Sequence, residues 1–258
     1  MFLSLLKIDL GDNPDRPRPG RLWLRNLYRV HQRLCMAFPS ASRKSDDEHF
    51  LKPFKPEDFA HGQVHVNRGK DAGFMFRVEP HPGGRVVILV QSAVRPDWDY
   101  AFHNAGHLLA VPWEVKSFDP CFAKGQHLRF RLVANPTKRF SRNSREKNGQ
   151  AVAEKWVGKR VPVPTEQLYE WLARRAEPAG FSIVRDSTTV QPSYIYVNKT
   201  PNDKGHRLRS VRYDGTLRVT DPARFQETLV RGIGPGKAFG FGLLSVAPVN
   251  PSLSAEAT

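Results

Sequence analysis

The chain has 258 residues, a formal charge of +15 and a sequence pI near 10.2. That length admits one large domain or two small ones, and that charge points to a polyanionic partner, nucleic acid ahead of an anionic membrane surface. No apolar run reaches the roughly 18–20 residues of a bilayer span, and two cysteines, Cys35 and Cys121, form neither a disulfide framework nor a metal knuckle. The charge is clustered: residues 16–33 carry +6, residues 136–160 carry +6 and residues 199–218 carry +4, which leaves the rest close to neutral. Scattered solvated charge would not cluster so; a surface facing a polyanion would.

The opening Met1-Phe2-Leu3-Ser4-Leu5-Leu6-Lys7-Ile8 lacks a basic leader region and a small-residue cleavage site. It reads as a first strand rather than a signal peptide, with a reducing cytoplasm as the simplest setting. Trp23, Leu27, Val30, Leu34 and Phe38 recur at helical spacing, and Pro39 stops that helix. Residues 40–70, rich in Ser, Lys, Asp, Pro and Gly, read as a long loop. Phe74–Val78 and Arg85–Val90 flank His81-Pro82-Gly83-Gly84 and read as a hairpin. A short helix over Trp98–Ala105 and a strand near Trp113–Phe118 complete a β-α-β-β-α-β order.

The order then repeats. His127–Val133 alternates as a strand, residues 135–160 form a basic excursion, and Thr165–Ala176 is a helix with Leu168, Trp171 and Leu172 inward. Phe181–Val190 and Arg207–Val219 read as strands, the pair bent at Tyr213-Asp214-Gly215. Asp221-Pro222 starts a helix to about Val230, by an N-cap acid followed by proline. Phe241–Ala247 is the last strand, and the tail frays from Asn250. The expected class is α+β, with two tandem ferredoxin-like (RRM-like) domains over residues 1–118 and 119–258. That scaffold often binds RNA, but the aromatic RNP string of a base-reading RRM has no good match here.

Two constellations carry chemistry. The first is Gly232-Ile233-Gly234-Pro235-Gly236-Lys237-Ala238-Phe239-Gly240-Phe241-Gly242, five glycines and a proline in eleven residues. Such a run is unsuited to a helix or ordinary strand and permits close approach to bare backbone. It is not a P-loop: three residues, not four, separate Gly232 from Gly236, and Ala238 stands where Ser or Thr must follow the lysine. A polymeric phosphate is the remaining candidate ligand. A purely architectural loop stays open beside it.

The second is Tyr28 and His31. On a helical wheel the apolar stripe spans about 80°, Tyr28 and His31 lie on its flank one turn apart, and Arg25, Arg29 and Arg33 lie farther round. Histidine titrates near neutral pH, so it can move a proton in phosphoryl chemistry without a metal. Packing residues at a core margin would show the same spacing, and both readings stand on spacing alone. His61 with His65 and His103 with His107 lack an acid at metal-site spacing, and HExxH, paired CxxC and GxSxG motifs do not occur. No metal and no cofactor is expected.

The chain resembles the CRISPR-associated endoribonuclease CasE family, whose members process repeat RNA in the type I-E interference complex. The resemblance rests on Arg25-Asn26-Leu27-Tyr28-Arg29-Val30-His31-Gln32-Arg33-Leu34 with Phe38-Pro39, on Phe130-Arg131-Leu132-Val133-Ala134-Asn135-Pro136-Thr137-Lys138, on Lys159-Arg160-Val161-Pro162-Val163, and on Gly232 to Ser245. These lie in family order across nearly the whole chain; the 40–70 segment looks longer than the family has. The resemblance implies tandem ferredoxin-like domains, metal-free cutting at the 3′ base of a CRISPR repeat hairpin, and His31 as the catalytic histidine with Tyr28 as its partner. The 2′-OH would attack its own phosphorus, leaving a 2′,3′-cyclic phosphate, which explains selectivity for RNA. Partners would be the repeat hairpin and the other subunits of the complex, with no membrane. Lys138, Arg139, Lys155, Lys159 and Arg160 are the candidates to track stem phosphates, with Arg207, Arg209 and Arg212 on a second edge. The competing readings are a non-catalytic RNA-binding subunit and a structural RNA-associated protein.

Overall fold

The computed structural model describes residues 1–11, 19–38, 73–81, 85–141, 153–198 and 205–249. The expected 40–70 loop, the Pro82–Gly84 turn, the middle of the basic excursion and the C-terminal tail lie outside them. The chain is a mixed α/β fold with antiparallel sheets and two separate hydrophobic cores.

The first sheet has strand order β2-β3-β1-β4, from β1 (Phe2–Ile8), β2 (Phe74–His81), β3 (Arg85–Ser92) and β4 (Glu114–Ser117). In β1, Ser4, Leu6 and Ile8 are buried and their neighbours are not, the period-two signature of a one-sided sheet. Val30 and Leu34 of the helix over that face meet Leu6, Phe76 and Ile88, closed by Trp98 and Phe102 of a short helix, Trp98–Phe102. β2 and β3 pair from Phe74↔Ser92 to His81↔Arg85, the hairpin register the alternation predicts.

The second sheet has order β11-β5-β10-β8, with β9 paired along the rest of β10. Its strands are β5 (His127–Ala134), β8 (Phe181–Ile183), β9 (Thr189–Val197), β10 (His206–Val219) and β11 (Leu244–Pro248). Leu128, Phe130, Leu132 and Ala134 alternate inward on β5 and pack with Leu172, Phe181, Tyr213 and Phe225. A small two-stranded sheet, β6 (Thr137–Arg139) with β7 (Arg160–Pro162), frames the basic excursion.

Three local expectations are corrected. The helix expected through Trp23–Phe38 is two, α1 (Pro19–Leu24) and α2 (Leu27–Cys35). Asn26 breaks it: its backbone is extended and its side chain accepts from the Tyr28 N–H at 3.0 Å, so a cap replaces a helical turn. Arg207–Val219 is not interrupted at Tyr213-Asp214-Gly215; β10 runs unbroken for 14 residues. Gly215 serves close approach rather than a turn, since a Cβ there would sit 2.7 Å from the Ser187 carbonyl oxygen. That carbonyl belongs to a 3₁₀ turn, Arg185–Ser187, which splits the strand expected over 181–190 into β8 and β9.

Candidate functional site

The site begins with the cap on α2. Asn26 fixes where the helix starts and also donates from Nδ2 to the Asn198 carbonyl at 3.0 Å, so the helix is held to the second sheet. Two positions on, Tyr28 is half-buried, and His31 follows one turn later with ring centroids 6.1 Å apart. His31 is far more buried than a flank position predicts, at 8% exposure. The cause is the aromatic wall of β2: Phe74 stacks on the imidazole at 5.4 Å and Phe76 at 6.3 Å, while the Cys35 Sγ lies 3.6 Å from Nε2. Arg33 turns away, donating to the Ala101 carbonyl at 3.0 Å and the Asn104 Oδ1 at 2.8 Å. Burial lowers its pKa from the ordinary arginine value.

The glycine-rich loop supplies the opposite side. It leaves the C-terminus of the helix Pro222–Arg231, where the Gly232 N–H reaches the Thr228 carbonyl at 2.7 Å. Gly232 has φ of +69°, and a Cβ there would lie 2.0 Å from the Met75 Sδ and 2.6 Å from the Gly242 oxygen. Here glycine is required twice, by backbone conformation and by contact with the first sheet. Gly236 and Gly240, both left-handed, bracket a 3₁₀ turn over Lys237–Phe239 that sets Phe239 6.0 Å from the Tyr28 ring. Gly240 lies over Phe76, Gly234 over Trp171, and the Gly242 N–H donates to the Val133 carbonyl at 2.8 Å. Lys237 donates to the Arg231 carbonyl, near the helix end where a cation is favoured; burial, then Arg231, lowers its pKa.

Beside the loop runs an ionic chain that sequence reading missed. Arg77, 4% exposed, pairs with Glu79 and donates across the junction to the Leu243 carbonyl at 3.0 Å and the Ser245 Oγ at 2.9 Å. Glu79 bonds Arg131 at 2.9 Å, Arg131 bonds Asp214 at 2.5 Å, and Asp214 bonds Arg212. Burial pulls the Glu79 and Asp214 carboxyls upward, but the arginines around them prevail and hold both below the usual carboxylate range. The one clue was an arginine inside the apolar alternation Phe74-Met75-Phe76-Arg77-Val78.

The expected RNA-binding cations divide. Lys138, Arg139, Lys155, Lys159 and Arg160 are all exposed and gather on the β6–β7 hairpin and the 3₁₀ turn Glu154–Trp156 before β7. Arg139 stands directly opposite Arg160, and Lys159 lies 5.0 Å over the Trp156 ring. Arg207 is exposed and stacked 3.6 Å over Tyr194. Arg209 instead donates to the Val163 carbonyl and Thr165 Oγ1, and Arg212 is held by Asp214, so the three do not form one free edge.

His61 and His65 lie outside the described residues. His103 contacts the Tyr100 carbonyl at 3.0 Å through Nδ1, and His107 is exposed. Among the described residues no three His, Cys, Asp or Glu gather as metal ligands, and no helix is long and apolar enough to cross a membrane.

A family described as CRISPR associated protein matches residues 1–248. The CRISPR-associated endoribonuclease Cse3 of Thermus thermophilus is 36% identical over 197 residues, covering 71% of this chain and 85% of that protein. The CRISPR system Cascade subunit CasE of Escherichia coli K12 is 27% identical over 233 residues, covering 89% of this chain and 96% of that one. A structure of CRISPR endoribonuclease Cse3 bound to a 19-nucleotide RNA superposes with a TM-score of 0.67 at 32% identity, covering 96% of this chain and all of that one. On this continuous match the chain belongs to the CRISPR-associated CasE/Cse3 family of type I-E systems.

Proposed function

We propose that the chain is an endoribonuclease that cuts CRISPR repeat RNA at the 3′ base of its hairpin, without metal, and stays on its product as a subunit of the interference complex. In this reading the ribose 2′-OH attacks the adjacent phosphorus and releases its proton to water, the P–O5′ bond breaks, and the ends are a 2′,3′-cyclic phosphate and a 5′-OH. His31 delivers the proton to the departing 5′-oxygen. Tyr28 positions by hydrogen bonding rather than removing a proton. The five cations of the β6–β7 hairpin track stem phosphates, and residues 1–118 and 119–258 are two ferredoxin-like units. The strand orders β2-β3-β1-β4 and β11-β5-β10-β8 support that last point.

The observation that carries the proposal is the placing of Tyr28 and His31 on one capped helix against Phe239 of the glycine loop. The names of the relatives add weight: one is an endoribonuclease, one a Cascade subunit, and one is seen with RNA. Arg139 opposite Arg160 adds more, since like charges directly across a strand pair are unfavourable without an anion nearby.

A second reading draws on the burial of His31: a non-catalytic RNA-binding subunit in which the ring only packs against Phe74 and Phe76. One assay separates the two. Labelled repeat RNA is incubated in EDTA with the wild type and with His31→Ala. A single cut, reduced about 10²–10⁴-fold in the variant while binding persists, supports catalysis, as does a bound but uncut substrate with a 2′-deoxy nucleotide before the cleavage point. Cutting that requires a divalent ion, or survives the substitution, defeats it.

A further inference from the structure

β9 and β10 continue past the second core as a two-stranded extension, and one of its faces has an unusual composition. Tyr194 and Tyr196 are two apart on β9, so their side chains share a face. Across the ladder Tyr196 opposes Arg207 and Tyr194 opposes Arg209, which puts both arginines on that face too. Tyr194 is 48% exposed and Tyr196 68% exposed. The Arg207 guanidinium lies 3.6 Å over the Tyr194 ring and that of Arg209 5.9 Å from it. Neither residues 189–198 nor residues 205–212 include an acidic side chain.

Two exposed phenol rings with a guanidinium already stacked on one of them form a planar, cationic step. A rim for a protein partner would set an acid among such cations to fix register; among the described residues this face has none. Single-stranded nucleic acid is recognised by this combination, rings for the base faces and cations for the backbone. Position adds a second argument. β9 runs on into Asn198, whose carbonyl is held by the N-cap of the helix carrying Tyr28 and His31. Tyr196 is two residues back along the strand, about 7 Å at the usual rise.

We propose that Tyr194, Tyr196 and Arg207 form a stacking platform for the unpaired nucleotides that flank the base of the RNA hairpin. This rests on the repeat-RNA reading above. The platform gathers the strand next to the cut and holds it toward α2, a function separate from tracking the paired stem. Stem contacts read phosphates, whereas the platform also takes base faces, so its effect is insensitive to base identity.

The test uses the full chain and two uncleavable repeat RNAs, each with a 2′-deoxy nucleotide before the cut: a bare hairpin, and one with unpaired flanks carrying 2-aminopurine. The wild type should bind the flanked RNA about tenfold tighter than the bare hairpin, the worth of one stacked base, and should quench the 2-aminopurine. Tyr196→Ala should remove both the advantage and the quench, Tyr196→Phe should keep both, and Arg207→Ala should weaken both. Equal melting temperatures show that the variants fold. A flank advantage untouched by Tyr196→Ala overturns the platform, and so does equal weakening on the bare hairpin. RNA binding that stays intact while the variant fails to join the other complex subunits assigns the face to a protein and also overturns it. Wild type that binds neither RNA overturns the repeat-RNA reading itself, a result distinct from the others.

Discussion

Arginine serves two regions of this molecule in opposite ways. At the junction Arg77 and Arg131 are spent on protein: each meets a carboxylate, and Arg77 also satisfies three backbone or hydroxyl acceptors from the other half. On the β6–β7 hairpin Arg139 and Arg160 stand opposite each other, with no ion pair to an acid among the described residues, beside exposed lysines. The same side chain is a clasp where carboxylates accompany it and an exposed cationic surface where they do not. Total charge therefore misleads as a map of a binding face; the local ratio of acids to bases is the better guide.

The sharpest break of that contrast is Arg77→Ala. It takes one of two arginine partners from half-buried Glu79 and leaves three junction acceptors without their donor, so unfolding free energy should fall by about 2–3 kcal/mol, read from denaturant midpoints. A change under about 1 kcal/mol, at the level of an exposed ion pair, would show that the junction is no clasp. Acid comes next. Because Glu79 and Asp214 titrate below their ordinary values in the folded chain, they contribute stability above the unfolded carboxylate pKa, near 4, and lose it as pH falls through their lower folded values. Melting temperature should therefore drop from about pH 4 downward, and the drop should flatten in Glu79→Gln with Asp214→Asn. The smallest effect on stability belongs to the hairpin: Lys138→Ala or Lys159→Ala should change it by no more than about 0.5 kcal/mol. Each should instead make the salt dependence of RNA affinity shallower by about one unit of slope. Substitutions that destabilise the fold and leave that slope alone would erase the distinction between the two regions.

Much of this was legible in the chain itself, for reasons that are local. Asp221-Pro222 marked a helix start because an acid cap and a proline act within one turn, and Asp221 does accept from the Ala223 and Arg224 N–H groups at 3.1 and 3.2 Å. The β2–β3 pairing followed from alternation around a turn. The break at Asn26 was hidden because apolar spacing continues across it from Trp23 to Leu27, and only the competing cap decides. Gly215 misled for a related reason: glycine signals a turn or a close neighbour alike, and Ser187 is brought beside it by tertiary structure. For the site, residue types on one helix were readable, yet the depth of His31 was not. Phe74 and Phe76 bury it from a strand that no periodicity ties to α2.

The contact between Gly232 and Met75, and the bond from Arg77 to a carbonyl 166 residues later, have a bearing on the order of events at the ribosome. The N-terminal sheet can collapse early, but Tyr28 gains its Phe239 neighbour only when nearly all of the chain has emerged. Synthesis thus delays the Tyr28–Phe239 contact until the basic hairpin that precedes it has already emerged, and a product truncated before the glycine loop would carry the hairpin's cations without that contact.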